Sequence, residues 1–145
     1  MRLCEENITL TGKAAALELL SIAHHEDLVE AVQDGDLHKL WYTNIPSACE
    51  MRAEISRRLE LHRQGSMYPF AVKHLATQRC VGMTTYMNIE SSQRRLEIGS
   101  TWLRKSIQRS AVNTECKWLL LEYAIEQLNC ICVEFRTHTM NLQSR

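Results

Sequence analysis

The chain has 145 residues, and its 17 lysines and arginines balance its 17 aspartates and glutamates. A chain of this length suits a single α/β domain, because it buries about two-thirds of the surface that its unfolded form exposes. No apolar run approaches the roughly 18 residues of a membrane span, MRLCEENITL does not resemble a signal peptide, and the charge is balanced, so we expect a cytoplasmic protein with neither membrane nor nucleic acid as a partner.

The first half of the chain predicts a strand followed by two helices. Residues 13–20 (KAAALELL) have a composition that suits a helix or a strand, and their context favours a strand. Residues 23–34 predict a helix ended by Gly35, and residues 37–42 predict a short helical turn. Ser47 and Glu50 form a capping box for a second long helix, which runs until Gly65. Its apolar stripe consists of Met51, Ile55, Leu59 and Leu61.

The next part predicts a run of strands. Residues 68–72 and 80–88 predict a hairpin that turns through residues 76–78, and residues 94–103 predict a third strand. The order of elements, completed by one more helix and one more strand, is β-α-α-β-β-β-α-β. No repeat or linker suggests a different architecture.

An amphipathic helix follows the third strand of this run. Asn113 or Thr114 caps it, and Glu115 lies in its first turn. Residues 130–137 predict the last strand, which is buried. The apolar surface of the helix consists of Trp118, Leu119, Leu121, Tyr123, Ala124, Ile125 and Leu128.

The cysteines predict neither a disulfide framework nor a metal centre. No secretory segment accompanies them, and no pair has the Cys-x-x-Cys spacing of a metal site. We expect most of them to be small buried residues, and no histidine is locally placed to activate one as a nucleophile. Cys130 and Cys132 lie two apart on a predicted strand, which places both on one face. The six are Cys4, Cys49, Cys80, Cys116, Cys130 and Cys132.

A strand, a short polar loop and a helix N-terminus follow one another between Arg94 and Glu126. The first turn of a helix has N–H groups without intrahelical partners and carries partial positive charge, so a pyrophosphate can bind there. Many strand–loop–helix units nevertheless bind nothing. The segment resembles the acyl-CoA signature of the GNAT acyltransferase superfamily, whose loop reads Gln/Arg-x-x-Gly-x-Gly/Ala. Its counterparts here are Gln108, Arg109, Ser110, Ala111, Val112 and Asn113, with Ala111 and Asn113 in place of the usual small residues.

Further motifs in the family's order extend the resemblance from about Ile8 onward. Together they are similar to the branch that includes ribosomal-protein N-terminal acetyltransferases. The resemblance implies one acetyltransferase-like domain over residues 1–145, with a mixed, mainly antiparallel sheet flanked by helices. The motifs are Phe70-Ala71-Val72, Val81-Gly82, Glu97-Ile98-Gly99 and Asn141-x-x-Ser144.

The resemblance implies an N-acetyltransferase that moves an acetyl group from acetyl-CoA to a primary amine, on a protein N-terminus or a small molecule. Backbone groups of Trp102 and Leu103 would pair with the pantetheine amides. Arg104, Lys105 and Arg109 are possible phosphate partners, although a solvated charged face explains each equally well. The implied cofactor-binding residues are Trp102, Leu103, Arg104, Gln108, Arg109, Ser110, Ala111, Val112, Asn113, Thr114, Asn141 and Ser144. A turn and a cap also explain the last two.

Glu97 is the implied catalytic base, because it lies on the strand before the phosphate loop, where several family members carry a catalytic glutamate. The alternative is a strand carboxylate that faces outward and pairs with Arg94 or Arg95. His138 is a second titrating candidate, since an unperturbed histidine pKa of about 6.5 suits proton transfer.

The sequence ends at Arg145, before the last helix and strands of the family. Either the chain is a truncated form, or another subunit completes the sheet and covers its edge, which predicts a homo-oligomer. The alternative function is a catalytically inactive acyl-CoA-binding or interaction module. A nucleic-acid-binding domain is disfavoured by the neutral net charge and by the lack of a basic and aromatic stripe.

Overall fold

The computed structural model describes residues 8–33, 47–107 and 110–135. None of the helices in these ranges is both long and apolar enough to cross a lipid bilayer. The described strands are β1 (Thr9–Thr11), β2 (Ala15–Leu19), β3 (Met67–His74), β4 (Arg79–Glu90), β5 (Arg95–Leu103) and β6 (Cys132–Phe135). The described α-helices are α1 (His25–Gln33), α2 (Met51–Arg63) and α3 (Ala111–Glu126).

The six described strands form one sheet in which the order along the chain is also the order in space. From β1 to β5 each strand is antiparallel to the next, and β6 joins β5 in parallel. A parallel pair needs a crossover connection, and α3 provides it. The mixed, mainly antiparallel sheet flanked by helices that the sequence predicts is confirmed.

The N-terminal strands differ from the prediction in number. The strand predicted at residues 13–20 is present as β2, and β1 precedes it as an additional strand. Leu17 of β2 lies opposite Leu10 of β1 and Val72 of β3. Because β2 pairs with a neighbouring strand on each edge, it is a strand although its composition also suits a helix. With three residues, β1 is too short for a periodic pattern to reveal it.

Two further strand boundaries follow from local backbone geometry. Arg94 has a φ of 52°, in the left-handed region, so β5 begins one residue later than predicted. Cys130 precedes β6, because its N–H still donates to the carbonyl of Ala124 at 2.9 Å. Cys130 is buried and Cys132 is exposed, so the prediction that both share one face of a strand was wrong.

Two apolar clusters cover the two faces of the sheet. The α3 cluster lies between the sheet and α3, and the α1–α2 cluster lies between the sheet and the other two helices. In the α3 cluster, the ring centroids of Tyr68 and Phe70 lie 4.8 Å apart, and those of Phe70 and Tyr86 lie 5.6 Å apart. Aromatic pairs at these distances stabilise a core beyond the area that they bury.

Helix α3 buries a different stripe from the predicted one. Its buried residues are Val112, Cys116, Leu120 and Ala124, which recur every four residues. Trp118 and Ile125 are 61% and 51% exposed, so assigning them to the packed surface was wrong. The helix has apolar residues on more than one side, and only the sheet decides which side is covered.

Helix α2 begins and ends close to its predicted limits. The N–H and the hydroxyl of Ser47 both donate to Oε1 of Glu50, at 3.1 and 2.8 Å. One turn of 3₁₀-helix, Ala48–Glu50, then leads into the α-helix. Gly65 has a φ of 82° and ends the helix as predicted, because glycine adopts this conformation without steric cost.

Helix α1 falls within the helix predicted at residues 23–34, after one 3₁₀ turn, Ile22–His24. The predicted end at Gly35 and the predicted turn at residues 37–42 lie outside the described residues.

Candidate functional site

The strands β5 and β6 pair along the first part of β5. The described register runs from Arg95 opposite Cys132 to Ile98 opposite Phe135, and the residues after Phe135 lie outside the described ranges. Strand β5 continues to Leu103, which pairs with Gly82 of β4. Trp102 and Leu103, the residues that the resemblance implies for pantetheine, thus lie at the C-terminal end of β5. An extended ligand can pair with a strand through backbone donors and acceptors.

A β-bulge lies in this half of β5. Met83 of β4 is opposite Trp102, and Thr85 is opposite Gly99, so two steps on β4 correspond to three on β5. The bulge disturbs the hydrogen bonds of the ladder, and the buried hydroxyl of Thr85 donates to the carbonyl of Gly99 at 2.7 Å. A bulge bends the strand that carries it and commonly lies beside a functional site.

The side chains of Trp102 and Leu103 pack into the core, and each residue is only 5% exposed, so the proposed contact with a ligand involves their backbone. The indole of Trp102 belongs to the α1–α2 cluster, and Leu103 belongs to the α3 cluster. The neighbouring strand approaches closely at Gly82, where a Cβ atom would lie 2.1 Å from the carbonyl oxygen of Trp102. Only glycine fits at that position without a backbone shift.

Arg104 ends the pairing of β4 and β5 and faces α1. Its N–H donates to the carbonyl of Val81 at 2.8 Å. Its Nη1 lies 3.6 Å from Oε1 of Glu30 in α1. Lys105, in the next turn, is exposed. The structure thus separates the two predicted phosphate partners, since one has a carboxylate beside it and the other extends into solvent.

Helix α3 begins three residues earlier than the predicted caps. Ser110 is the N-cap residue, and its hydroxyl accepts a hydrogen bond from the N–H of Val112 at 3.2 Å. Asn113 and Thr114 lie inside the helix, so their assignment as alternative caps was wrong. The turn before the helix brings the Ser110 N–H to the carbonyl of Ile107, at 3.2 Å. Gln108 and Arg109 lie outside the described residues.

The three described helices differ in the charge at their N-termini. The first turn of α1 contains Glu26 and Asp27, and the first turn of α2 contains Glu54. The first turn of α3 contains no acidic residue, and Glu115, predicted there, lies beyond it. Ser110 and Ala111 are both exposed. The positive end of this helix dipole is therefore open to an anion from outside the chain.

Glu97 lies within the described pairing of β5 with β6. Its neighbours on β5, Leu96 and Ile98, belong to the α3 cluster, so its half-buried side chain lies on the opposite face, towards α1 and α2. Its Cα partners are Met87 on β4 and Glu134 on β6.

Arg95, one of the two arginines proposed as partners of Glu97, has described contacts with other carboxylates. The guanidinium of Arg95 donates to Glu134 and lies 3.9 Å from Glu90, measured from Nε to Oε2. His138, Asn141 and Ser144 lie outside the described residues.

The cysteines do not offer a nucleophile in the described core. Cys80 and Cys116 are buried, and burial raises the pKa of each thiol to about 12. At neutral pH these two thiols stay protonated, and a thiol is a poor nucleophile. The described residues contain no group of histidine, cysteine, aspartate and glutamate side chains that could hold a metal ion.

Comparison with a model of the acetyltransferase (GNAT) domain gives a match over residues 16–145. The chain belongs to the GNAT acetyltransferase family. It is thus an acyltransferase, and the co-substrate of this family is acetyl-CoA, as the sequence predicts. A search of curated proteins gives no match.

Solved structures share the GNAT fold of this chain. A Vibrio cholerae protein assigned as a ribosomal-protein-serine acetyltransferase has a TM-score of 0.80 and 22% identity, covering 94% of this chain and 78% of that one. A GCN5-related N-acetyltransferase from Brucella melitensis has a TM-score of 0.80 and 23% identity, covering 97% and 64%. RimJ of Mycobacterium smegmatis, in complex with CoA-disulfide, has a TM-score of 0.76 and 17% identity, covering 96% and 70%. This chain spans 64 to 78% of the length of these three proteins.

Thr85 and Gly82 shape the candidate site in ways that the sequence motifs did not indicate. A signal for Gly82 was present, because a glycine inside a strand marks a bulge or a close approach of two backbones. Gly82 and Gly99 lie in neighbouring strands, and the bulge falls between them. The supporting hydroxyl of Thr85 could not be inferred, since the register of the two strands had to be known.

Proposed function

We propose that residues 1–145 form one GNAT domain that transfers the acetyl group of acetyl-CoA to a primary amine, on a protein N-terminus or a small molecule. The observation that carries this proposal is the N-terminus of α3. It has no carboxylate in its first turn, and it follows the C-terminal end of β5 after a short connection. Pyrophosphate and pantetheine require these two features side by side.

The binding residues follow the shape of the ligand along β5 and into α3. The backbone of residues 102–103 pairs with the pantetheine amides, and the free N–H groups of the first turn of α3 bind the pyrophosphate. Arg104 borders the same path. Exposed Ala111 allows a phosphate to approach the backbone, because its side chain is a single methyl group. The proposed binding residues that precede or follow the described ranges are Gln108, Arg109, Asn141 and Ser144, and those in the helix are Ser110, Ala111, Val112, Asn113 and Thr114.

Glu97 is the proposed base, acting directly or through a water molecule. It takes a proton from the acceptor ammonium, and the free amine then attacks the thioester carbonyl carbon. A C–N bond forms, the C–S bond breaks, and the thiolate of CoA leaves and takes up a proton. The position of Glu97 on β5, the strand along which the proposed pantetheine path runs, supports this role, because a base has to lie within hydrogen-bond reach of the amine.

The pKa of the acceptor decides how much help the base must give. An α-amino group has an unperturbed pKa of about 7.7–8.0, and a lysine side chain one of about 10.4. A single carboxylate suffices for the α-amino group near neutral pH. This difference favours a protein N-terminus over a lysine side chain as acceptor.

Release of the CoA thiol in the presence of candidate amines tests the proposal. The panel contains three acceptors: a peptide whose free amine is its N-terminus, the same peptide with a blocked N-terminus and one added lysine, and a small diamine. We expect thiol release with the first, and a fall in kcat of about 100-fold in Glu97→Gln, since a general base contributes about 10²–10⁴-fold. Binding of acetyl-CoA without thiol release for any amine would instead identify an inactive binding module.

Glu90→Gln is the matched control for Glu97→Gln. Glu90 also lies in the central sheet, but it is exposed, near Arg95 and at the end of β4. We expect its kcat to equal that of the wild type. If Glu97→Gln retains full kcat and the wild-type dependence of kcat on pH, Glu97 is not the base, and His138→Gln becomes the next variant.

We also propose that the protein self-associates. Trp118 and Ile125 lie seven residues apart on α3, which places them on one side of the helix, and both are more than half exposed. Large exposed apolar side chains that share a face favour an interface. Gel filtration checks this proposal: we expect an oligomer that Trp118→Ser converts to smaller species, and a wild-type monomer at high concentration would contradict it.

A further inference from the structure

The turn between β1 and β2 binds a carboxylate that comes from α3. Oε1 of Glu115 accepts hydrogen bonds from the N–H groups of Ala14 and Ala15, both at 2.8 Å. The N–H of Gly12 donates to the carbonyl of Ala15 at 2.8 Å and closes the turn. Successive N–H groups that point to one place form an anion-binding concavity. Here the anion belongs to the chain itself, about 100 residues further along.

Gly12 makes room for this carboxylate. A Cβ atom at residue 12 would lie 2.1 Å from Oε1 and 2.4 Å from Cδ of Glu115. Both distances are far below van der Waals contact, so a larger residue at this position displaces the carboxylate from the turn. The fit between Gly12 and Glu115 is therefore specific to these two residue types.

Electrostatics favours the ionised form of Glu115 in this contact. Burial alone would raise the pKa of its carboxyl group, but the hydrogen bonds from Ala15 and Ala14 and the charge of Lys13 lower the pKa overall. Hydrogen bonds that involve an ionised partner are roughly twice as strong as neutral ones.

The contact gives α3 a directional restraint close to its N-terminus. The buried residues of α3 are apolar, and apolar contacts are not directional, so they permit small shifts along the sheet. The hydroxyl of Tyr86 also donates to the carbonyl of Leu120, but that hydrogen bond lies farther along the helix. Hydrogen bonds have narrow ranges of distance and angle. Glu115 lies about one turn past Ser110, so the contact fixes the end of the helix where the proposed pyrophosphate site lies.

We propose that Glu115 is a positioning residue for acyl-CoA, which holds the N-terminus of α3 at the distance that pyrophosphate binding needs. The inference rests on the proposed function, since it assumes pyrophosphate at that end of the helix. Backbone donors bind a phosphate oxygen well only at about 2.7–2.9 Å, so a small displacement of the helix weakens several hydrogen bonds together. The hairpin at the edge of the sheet thereby sets the affinity of a site on α3.

Titration calorimetry with acetyl-CoA on Glu115→Ala and Glu115→Gln tests this role. We expect the dissociation constant to rise about tenfold in Glu115→Ala and less in Glu115→Gln, whose amide oxygen can still accept from the turn. Glu122→Gln is the control for charge, because Glu122 is exposed on the same helix. Ile55→Val is the control for stability, because it removes one methyl group from the buried face of α2.

A reciprocal change tests the contact from the turn. Gly12→Ala should raise the dissociation constant as Glu115→Ala does, because its Cβ displaces the carboxylate. The side chain of Glu115→Asp is shorter and leaves room for a Cβ atom at residue 12. The double variant Gly12→Ala with Glu115→Asp should therefore lose less affinity for acetyl-CoA than the sum of the losses in the two single variants. Such non-additivity is the signature of two groups in direct contact.

The outcomes separate this inference from the proposed function. If the folded wild type binds no acetyl-CoA, the proposed function fails and the inference with it. If the wild type binds and the Glu115 variants lose no more affinity than Ile55→Val, the inference alone is overturned. If Glu115→Ala does not fold, Glu115→Gln and Gly12→Ala decide. If those two also fail to fold, the contact serves folding and the positioning role is overturned.

Discussion

The N-termini of α2 and α3 use opposite solutions for the same unpaired backbone groups. At α2, Glu50 receives two hydrogen bonds from Ser47, and Glu54 lies in the first turn. At α3, Ser110 contributes a hydroxyl oxygen, and the first turn contains no carboxylate. One helix end carries its own negative charge, and the other is left for a charge from outside.

The difference shows what a binding site costs the fold. Carboxylates near a helix N-terminus stabilise it by about 0.3–1 kcal/mol each, so α3 forgoes a stabilisation that α1 and α2 have. The first glutamate of α3 is placed in the second turn, where it binds Ala14 and Ala15 instead. Under the proposed function, the α3 end keeps its amides for acyl-CoA while Glu115 still anchors the helix to the sheet.

Removing the charge of Glu54 in the first turn of α2 should have the largest effect on stability. Nε of Arg58 donates to Oε2 of Glu54 at 2.7 Å, and Arg58 is only 2% exposed. Glu54→Gln leaves this buried guanidinium without that counter-charge, so we expect the free energy of unfolding to fall by about 3 kcal/mol, measured by urea unfolding. Glu60→Gln, at an exposed ion pair on the same helix, should change nothing measurable. A small effect of Glu54→Gln would mean that α2 does not depend on its own carboxylate.

Giving α3 the charge that α2 has should remove the binding site. Ala111→Glu places a carboxylate in the first turn of α3, where it competes with the pyrophosphate by charge and bulk. We expect affinity for acetyl-CoA to fall about 30-fold by calorimetry, which corresponds to about 2 kcal/mol. Ala53→Glu is the matched control, since Ala53 is an exposed alanine in the first turn of α2. Equal affinities for the two variants would remove the functional distinction between the helix ends.

The fold was predictable where local signals agree. The β4–β5 region, the crossover helix and the limits of α2 between Ser47 and Gly65 all follow from turn residues and periodicity. Contacts between distant parts of the chain were not predictable from the sequence. Glu115 meets a turn about 100 residues away, and Trp118 looks like a core residue until the sheet takes the opposite side of α3.

The candidate site was predictable in its order but not in its geometry. The sequence of strand, loop and helix and its resemblance to GNAT enzymes placed the site. Ser110, Asn113 and Thr114 are all good caps, so the start of α3 depends on the path of the chain after β5. The bulge opposite Thr85 depends on the register of two strands, which composition does not specify.

Removing a hydroxyl at each helix end compares the two caps directly. Ser110→Ala leaves the N–H of Val112 without its partner, so we expect a loss of about 1 kcal/mol in the free energy of unfolding. Ser47→Ala should cost only a few tenths of a kcal/mol, because Glu50 still accepts from the backbone N–H of residue 47. The measurement is urea unfolding at pH 7. A larger loss for Ser47→Ala would show that α2 relies on its serine more than α3 does.

The smallest predicted effect is the loss, at acid pH, of the stability that Glu115 contributes to the contact between α3 and the turn. The folded-state pKa of Glu115 lies below its ordinary value, so its contribution to stability is complete above the unfolded-state pKa, about 4.3, and is lost as the pH falls through the folded-state pKa. Between pH 6 and pH 3, Glu115→Gln should therefore lose less free energy of unfolding than the wild type. Glu122→Gln, which removes a carboxylate from the exposed side of the same helix, should follow the wild type. If Glu115→Gln also follows the wild type, the ionised carboxylate adds nothing to the turn, and α3 is held by its apolar contacts and the hydrogen bond from Tyr86.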